Sequence, residues 1–217
     1  MVTAQIHEIG PFVGGSNFIG DIGKTNYIKP NEYAFGFIYK YNRSPRHSYR
    51  FSYIRSNVTA NDDASSENSR QLRSLDFKNH VSDLMLGLEF NFFDFNLHNL
   101  DDQFTPYVST GVAYTFYDAL YYPKAGTTND IAVFEKKRRT FGIPMIVGVK
   151  SRIGQNWVLA GEVNIRYTLV DDIDGSNPTN ADFTKFKFGN IDSNDWVTFI
   201  GLTLTYTFGD KPCYCKE

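Results

Sequence analysis

Hydrophobic and polar residues alternate along most of this chain, so that every second side chain is apolar. In the clearest stretch, Asp83 to Phe92, the even positions are all large and apolar, and the odd positions include acidic, amide and glycine residues. A period of two is typical of β-strands that present two different faces, and helical periodicity is nearly absent. We predict eight strands, at about 6–15, 34–41, 49–53, 83–92, 108–116, 141–150, 157–167 and 201–208.

The connections between these strands alternate in length. Long polar connections are predicted at 16–33, 55–80, 118–139 and 169–195, and short ones at 42–46, 94–103 and 154–156. This alternation is typical of outer-membrane barrels, which have long extracellular loops and short periplasmic turns. The predicted fold is therefore all-β: an eight-stranded antiparallel transmembrane β-barrel (OmpA/OmpX-like) with four long extracellular loops and short periplasmic turns. The even strand number places both termini in the periplasm.

The composition indicates which face of the strands contacts lipid. The 217 residues include 19 Phe, 14 Tyr and 2 Trp, although only 41% of the chain is hydrophobic. No apolar run approaches the roughly 18 residues of a membrane helix. The interior of an eight-stranded barrel has room for few large side chains, so we expect large apolar residues outside, in lipid, and small ones inside. The alternative is a lipocalin-like or sandwich core. A net charge of −2 argues against nucleic acid as a partner.

Charged residues on the predicted inner face form a balanced set of four acids and four bases. They are Glu8, Lys40, Arg50, Asp83, Glu89, Lys150, Glu162 and Arg166. Buried ions need partners, because an unpaired one costs several kcal/mol. If the second and third strands turn at Pro45, Lys40 lies opposite Arg50. We therefore predict a lumenal row Glu8–Lys40–Arg50–Glu89 that plugs the barrel.

Three features of the sequence are candidates for chemistry. His80, Ser82 and Asp83 form the one cluster that suggests nucleophilic catalysis. The basic run 135–139, in the third predicted loop, either contacts lipopolysaccharide phosphates or is a solvated loop end. The segment 171–175 resembles a fragment of a calcium loop, but the later ligands of an EF-hand do not follow, and we interpret it as a polar turn. No zinc spacing, phosphate loop or G-x-S-x-G elbow is present. We expect no enzyme activity, cofactor or metal.

The two ends of the chain lie outside the predicted barrel, which spans residues 6–208. Residues 1–5 contain a segment similar to the small-residue end of a cleavage site, and we interpret them as the remnant of an export signal. Residues 209–217 form a predicted periplasmic tail with Cys213 and Cys215. A strained bridge, a disulfide to a partner and a metal graft are all compatible with this spacing in an oxidising periplasm.

Three segments resemble a known family. They are residues 7–23 (HEIGPFVGGSNFIGDIG), residues 28–31 with 35–42 (IKPN and FGFIYKYN), and residues 212–216 (PCYCK). Together they are similar to the PorG-like outer-membrane proteins of the type IX secretion system of Bacteroidota. The resemblance implies a non-enzymatic barrel of the secretion and gliding apparatus, with outer-membrane lipid around it and the periplasmic ring proteins, a PorK-like lipoprotein and a PorN-like subunit, as partners. It implies no cofactor.

Two other functions fit the same fold. The first is a surface adhesin or ligand binder that uses the long loops. The second is a lipid-modifying barrel enzyme that uses Ser82 with its neighbours.

Overall fold

The computed structural model describes residues 6–24, 26, 28–97, 102–190 and 193–209, and within them the chain forms a closed barrel. Each strand pairs antiparallel with its neighbours in sequence, and the first strand also pairs with the last. The strands are β1 (His7–Ile19), β2 (Glu32–Asn42), β3 (His47–Asn61), β4 (Asp76–Asn91), β5 (Phe104–Tyr121), β6 (Val133–Arg152), β7 (Trp157–Thr168) and β8 (Trp196–Phe208). The predicted eight-stranded antiparallel barrel is confirmed.

The strands are strongly tilted. Register partners followed once around the barrel from Asn42 on β2 return to β2 at Glu32, ten residues nearer the loops. An eight-stranded barrel with this stagger has a narrow interior, which side chains can fill.

Large apolar side chains cover the outside of the barrel. Leu86 is 66% exposed and Val147 63%, and both lie in the middle of long strands. A continuous apolar surface of this kind is stable in lipid and not in water. Among the described residues, no helix is long and apolar enough to cross a bilayer.

Several strands extend further toward the loops than the sequence pattern indicated. The loops are therefore shorter than predicted at three of four places, and the connections at that end span 20–31, 62–75, 122–132 and 169–195. The turns at the other end span 43–46, 92–103 and 153–156. The second loop contains a short helix, α1 (Asn68–Arg73). These strand ends were not predicted because both faces of a strand can be polar above the lipid, so apolar and polar residues no longer alternate there.

The interior is divided into two halves. Toward the turns, the inward side chains are polar and charged. Toward the loops, they form an apolar core, in which Phe12, Phe18, Phe77 and Phe199 are all buried. The expectation of uniformly small or polar inward residues is therefore wrong for the loop-side half, where bulky side chains fill the barrel and pack against the loops above it.

Candidate functional site: an ion-paired, closed lumen

Glu89 is the centre of a charge cluster inside the barrel. Its carboxylate accepts hydrogen bonds from Lys150 at 2.7 Å and from Lys40 at 2.9 Å. A third cation, Arg50, lies 3.3 Å from the same carboxylate. All four side chains are at most 2% exposed. One carboxylate thus bridges cations from three strands, β2, β3 and β6.

Arg50 has its stronger partner on the opposite wall. Its guanidinium donates two hydrogen bonds, of 2.9 and 2.6 Å, to the carboxylate of Glu162 on β7. Such a two-pronged pair fixes both distance and orientation. The hydroxyl of Tyr107 also donates to Glu162, at 2.5 Å. The pair crosses the lumen and leaves no open path at this level.

A second ion pair, between Arg166 and Asp83, lies nearer the loops than the cluster around Glu89. Arg166 donates to Asp83 at 2.8 Å, and Thr115 donates to the same carboxylate at 2.9 Å. Both charged side chains are 1% exposed. This pair links β4 to β7, as the cluster around Glu89 links β2, β3 and β6.

Glu8 does not take the place predicted for it. It lies opposite Lys40 in register, but its carboxylate accepts hydrogen bonds from Asn42 and Thr205, both at 2.9 Å. The predicted row Glu8–Lys40–Arg50–Glu89 is therefore corrected: Lys40 does lie opposite Arg50, but Glu162 from the far wall, not Glu8, supplies the second acid. The alternation could not show which strands face each other across the lumen.

The sequence pattern did not identify Tyr107 as a lumenal residue. It lies on the inward parity of β5, one residue before the predicted start of that strand at 108. Gly148 on β6 gives the ring its space, because a Cβ there would lie 2.6 Å from the Tyr107 ring. An aromatic residue at an inward parity opposite a glycine is the signal that could have found it.

The turn side of the lumen is closed by the second turn. Phe95 and Leu97 are buried, 4% exposed each, and cluster with Val158. The ammonium of Lys150 lies 4.8 Å from the centre of the Phe95 ring, and Arg152 donates to the carbonyl of Leu97 at 3.1 Å. The described part of this turn therefore folds into the mouth of the barrel.

The fourth loop covers the other mouth. Ile173 is buried in the apolar core, and its amide donates to Asp195 at 2.9 Å. Asp174 accepts a hydrogen bond from the amide of Asp21, which ties this loop to the first one. Burial raises the pKa of Asp171 to about 7 and that of Asp174 to about 6, and neighbouring carboxylates add to both shifts. The segment 171–175, predicted as a polar turn, is thus part of a buried cap.

The three residues considered for catalysis do not come together. His80 and Ser82 lie on the outer face of β4, whereas Asp83 faces the lumen and pairs with Arg166. Adjacent residues of a strand point to opposite faces, so the cluster is wrong as a catalytic group. Within the described residues, no group of three or more His, Cys, Asp or Glu side chains is arranged to hold a metal ion.

One further prediction is wrong, and another falls outside the described residues. The basic run 135–139 is part of β6 and not of a loop. Within it, Arg138 forms an ion pair with Asp172, while Arg139 is exposed on the outside. Cys213 and Cys215 lie outside the described residues, so their pairing stays a prediction.

The exposed apolar surface, the closed antiparallel strands and the filled lumen define this protein as an outer-membrane β-barrel. The chain belongs to the family described as "Domain of unknown function (DUF6089)", whose model matches residues 1–217. No curated protein matches it.

Solved structures of small outer-membrane barrels share the fold. Ail, the attachment invasion locus protein of Yersinia pestis, solved in complex with the heparin analogue sucrose octasulfate, matches with a TM-score of 0.51 and 12% identity, over 94% of this chain and 99% of Ail. Neisserial surface protein A matches with a TM-score of 0.53 and 10% identity, over 93% of this chain and 97% of its own. The N-terminal barrel domain of Pseudomonas aeruginosa OprF matches with a TM-score of 0.50 and 11% identity, over 94% of this chain and 98% of its own.

Proposed function

We propose that this protein is a non-enzymatic anchor in the outer membrane: a barrel that holds a protein assembly in place and conducts nothing itself. The closed lumen is the observation that carries this proposal. Phe95 fills the turn-side mouth, the Arg50–Glu162 pair crosses the middle, and an apolar core fills the loop side. A barrel closed at three levels has only its outer surfaces for function.

The assembly that we propose is the type IX secretion and gliding machinery. Support comes from the resemblance of residues 7–23, 28–31, 35–42 and 212–216 to PorG-like proteins. In this proposal the turns and the tail at 209–217 contact the periplasmic ring, formed by a PorK-like lipoprotein and a PorN-like subunit. On the described turns, the side chains of Arg46 and Asp94 join the first two turns through an ion pair of 2.5 Å.

A pull-down from detergent-solubilised outer membranes tests this proposal. The tagged full chain should recover the ring proteins, identified by mass. Deletion of residues 210–217 should leave a folded barrel, shown by heat-modifiable migration in a gel, and should reduce the recovery of ring proteins. A loop-side variant, Lys185→Gln with Lys187→Gln, is the matched control and should recover them in full. If the intact chain recovers no ring protein, the type IX assignment is wrong.

A cleft between the loops favours a second candidate, a surface ligand binder. Its volume is about 500 Å³, and three lysines and one acid line it: Lys24, Lys29, Lys78 and Asp76, together with Asn17, Asn31 and Asn61. Sulfated sugars are anionic ligands of the kind that such a cleft would take, and Ail was solved with a sulfated sugar. Binding of sucrose octasulfate that is lost in Lys29→Gln with Lys78→Gln would support this candidate. Binding unchanged by that double variant would reject it.

A further inference from the structure

The outward-facing cations of the barrel wall lie on one flank only. Within the described strands, lysines and arginines that point outward occur on β3, β4 and β6: Arg55, Lys78, Lys137 and Arg139. The outer faces of β1, β2, β7 and β8 carry none, because Lys40 and Arg166 face the lumen. The positive charge is therefore confined to the contiguous strands β3–β6.

Two of these cations lie where the apolar surface ends. Along the outer face of β3, Arg55 follows Tyr53 and precedes Asn57. On β6, Arg139 lies one outward position above Phe141, which is 56% exposed. Each arginine therefore marks, on its own strand, the end of the apolar surface, where lipid acyl chains give way to headgroups. Arginines at this level extend their charge toward the aqueous side.

The two arginines belong to one row of register partners, Arg55, Ser82, Phe116 and Arg139. Three strand spacings of about 4.8 Å separate them by about 14 Å along the sheet. The row contains no carboxylate. Because the strands are tilted, Arg139 lies nearer the extracellular side than Arg55, so the two cations offer anion-binding groups at two heights.

Arginines elsewhere at the loop end have acidic partners. Arg73 pairs with Asp62 at 2.7 Å, and Arg138 pairs with Asp172. In the part of the chain that the structure describes, no carboxylate forms an ion pair with Arg55 or Arg139. Asp118 lies opposite Lys137 in register, one outward position beyond Phe116, which is the partner of Arg139. The two arginines are thus exposed, close to lipid, and without an acidic partner among these residues.

We propose that the β3–β6 flank binds a phosphorylated glycolipid of the outer leaflet, a lipid of the lipopolysaccharide class, through Arg55 and Arg139. A guanidinium matches a phosphate in both charge and two-pronged geometry. Phe116 lies between the two arginines and contacts the apolar part of the same lipid. A free phosphate ion would gain nothing from these apolar neighbours, so the ligand is a lipid phosphate. This inference does not depend on the secretion role.

The test uses the full-length barrel in nanodiscs of phosphatidylcholine, with bis-phosphorylated lipid A added in increasing amounts, and native mass spectrometry counts the bound lipid A. Arg55→Gln with Arg139→Gln should weaken binding roughly tenfold, because two charge-assisted contacts are lost. Lys185→Gln with Lys187→Gln removes the same charge from the fourth loop and should bind as the unchanged barrel does. Arg55→Lys with Arg139→Lys should retain part of the affinity.

Two further ligands identify the source of the phosphate. Dephosphorylated lipid A should bind the unchanged barrel as weakly as the bis-phosphorylated lipid binds the Gln variant. Inorganic phosphate at the same concentration should displace none of the bound lipid. The proposal is overturned if the Gln variant keeps full affinity, if the dephosphorylated lipid binds equally well, or if inorganic phosphate displaces the lipid. Folding of every variant is verified by heat-modifiable migration.

Discussion

Arg50 and Glu162 are 112 positions apart in the sequence, yet they meet in the middle of the lumen through hydrogen bonds of 2.9 and 2.6 Å. They lie on β3 and β7, which do not pair with each other. The contact therefore joins opposite walls and acts as a strut across the barrel. The ion pairs of the lumen hold the barrel wall in place from within.

Neutralising Glu89 should destabilise the barrel strongly. Glu89→Gln leaves Lys40, Arg50 and Lys150 buried with one negative partner fewer. Breaking a buried ion pair by removing one partner costs about 3–5 kcal/mol. Urea unfolding in detergent micelles, followed by tryptophan fluorescence, should show this loss in the free energy of unfolding.

Glu8→Gln is the control for that experiment. Glu8 accepts hydrogen bonds from the neutral groups of Asn42 and Thr205, so we expect a loss of about 1 kcal/mol. An unfolding midpoint for Glu89→Gln that equals that of the unchanged barrel would show that the cluster does not stabilise the fold.

The fourth loop should be more stable at acid pH. The pKa of Asp171 is raised from 3.8 to about 7 in the folded protein. Between these values the folded state binds the proton and the unfolded state does not, so stability is greatest below about pH 4 and falls as the pH rises to about 7. Protection factors for hydrogen exchange of residues 169–190, in which each rate is divided by the intrinsic rate at the same pH, should therefore be higher at pH 5 than at pH 8.

Asp171→Asn should remove much of the pH dependence of these protection factors and raise them at pH 8. Asp182, which is exposed in the same loop, provides the control: Asp182→Asn should exchange like the unchanged protein at both pH values. Protection factors in the unchanged protein that are equal at pH 5 and pH 8 would contradict the buried-carboxylate account.

A methyl group should be tolerated at the outward-facing Gly161 on β7 and not at the inward-facing Gly111 on β5. A Cβ at Gly111 would overlap the carbonyl oxygen of Leu86 and lie 2.5 Å from the Cα of Gly87. A Cβ at Gly161 would meet only the Leu202 side chain, at 3.5 Å. Gly111→Ala should thus cost about 1–3 kcal/mol of unfolding free energy, and Gly161→Ala little. Equal unfolding midpoints would contradict the close approach of β4 and β5.

Much of this fold follows from alternation alone. Leu84, Leu86 and Leu88 predict a lipid-facing surface because a strand places every second residue on one face. The inward direction of Glu89 and Glu162 follows from the same parity. Which of these charges meet across the lumen depends on strand tilt and stagger, which no single strand encodes. The prediction therefore named Glu8 as the second acid of the lumenal cluster, whereas Glu162 is that acid in the structure.

Alternation could not predict that the loop-side half of the lumen is apolar. Phe12 occupies an inward position that the alternation assigned to small or polar residues, and Phe199 lies before residue 201, where the last strand was predicted to start. They fit because Ile22 and Ile173, from the first and fourth loops, pack against them, so the loops complete the core. Long-range packing of this kind leaves no periodic signal in the sequence.

The central claim is that this barrel is closed, and ion conductance in a planar lipid bilayer tests it most directly. The purified full-length barrel is inserted at neutral pH in 1 M salt, and a porin inserted under the same conditions verifies the bilayer. Because Phe95, the Arg50–Glu162 pair and the apolar core each block the lumen, we predict no steady current above that of the empty bilayer. A stable current proportional to voltage would contradict the account.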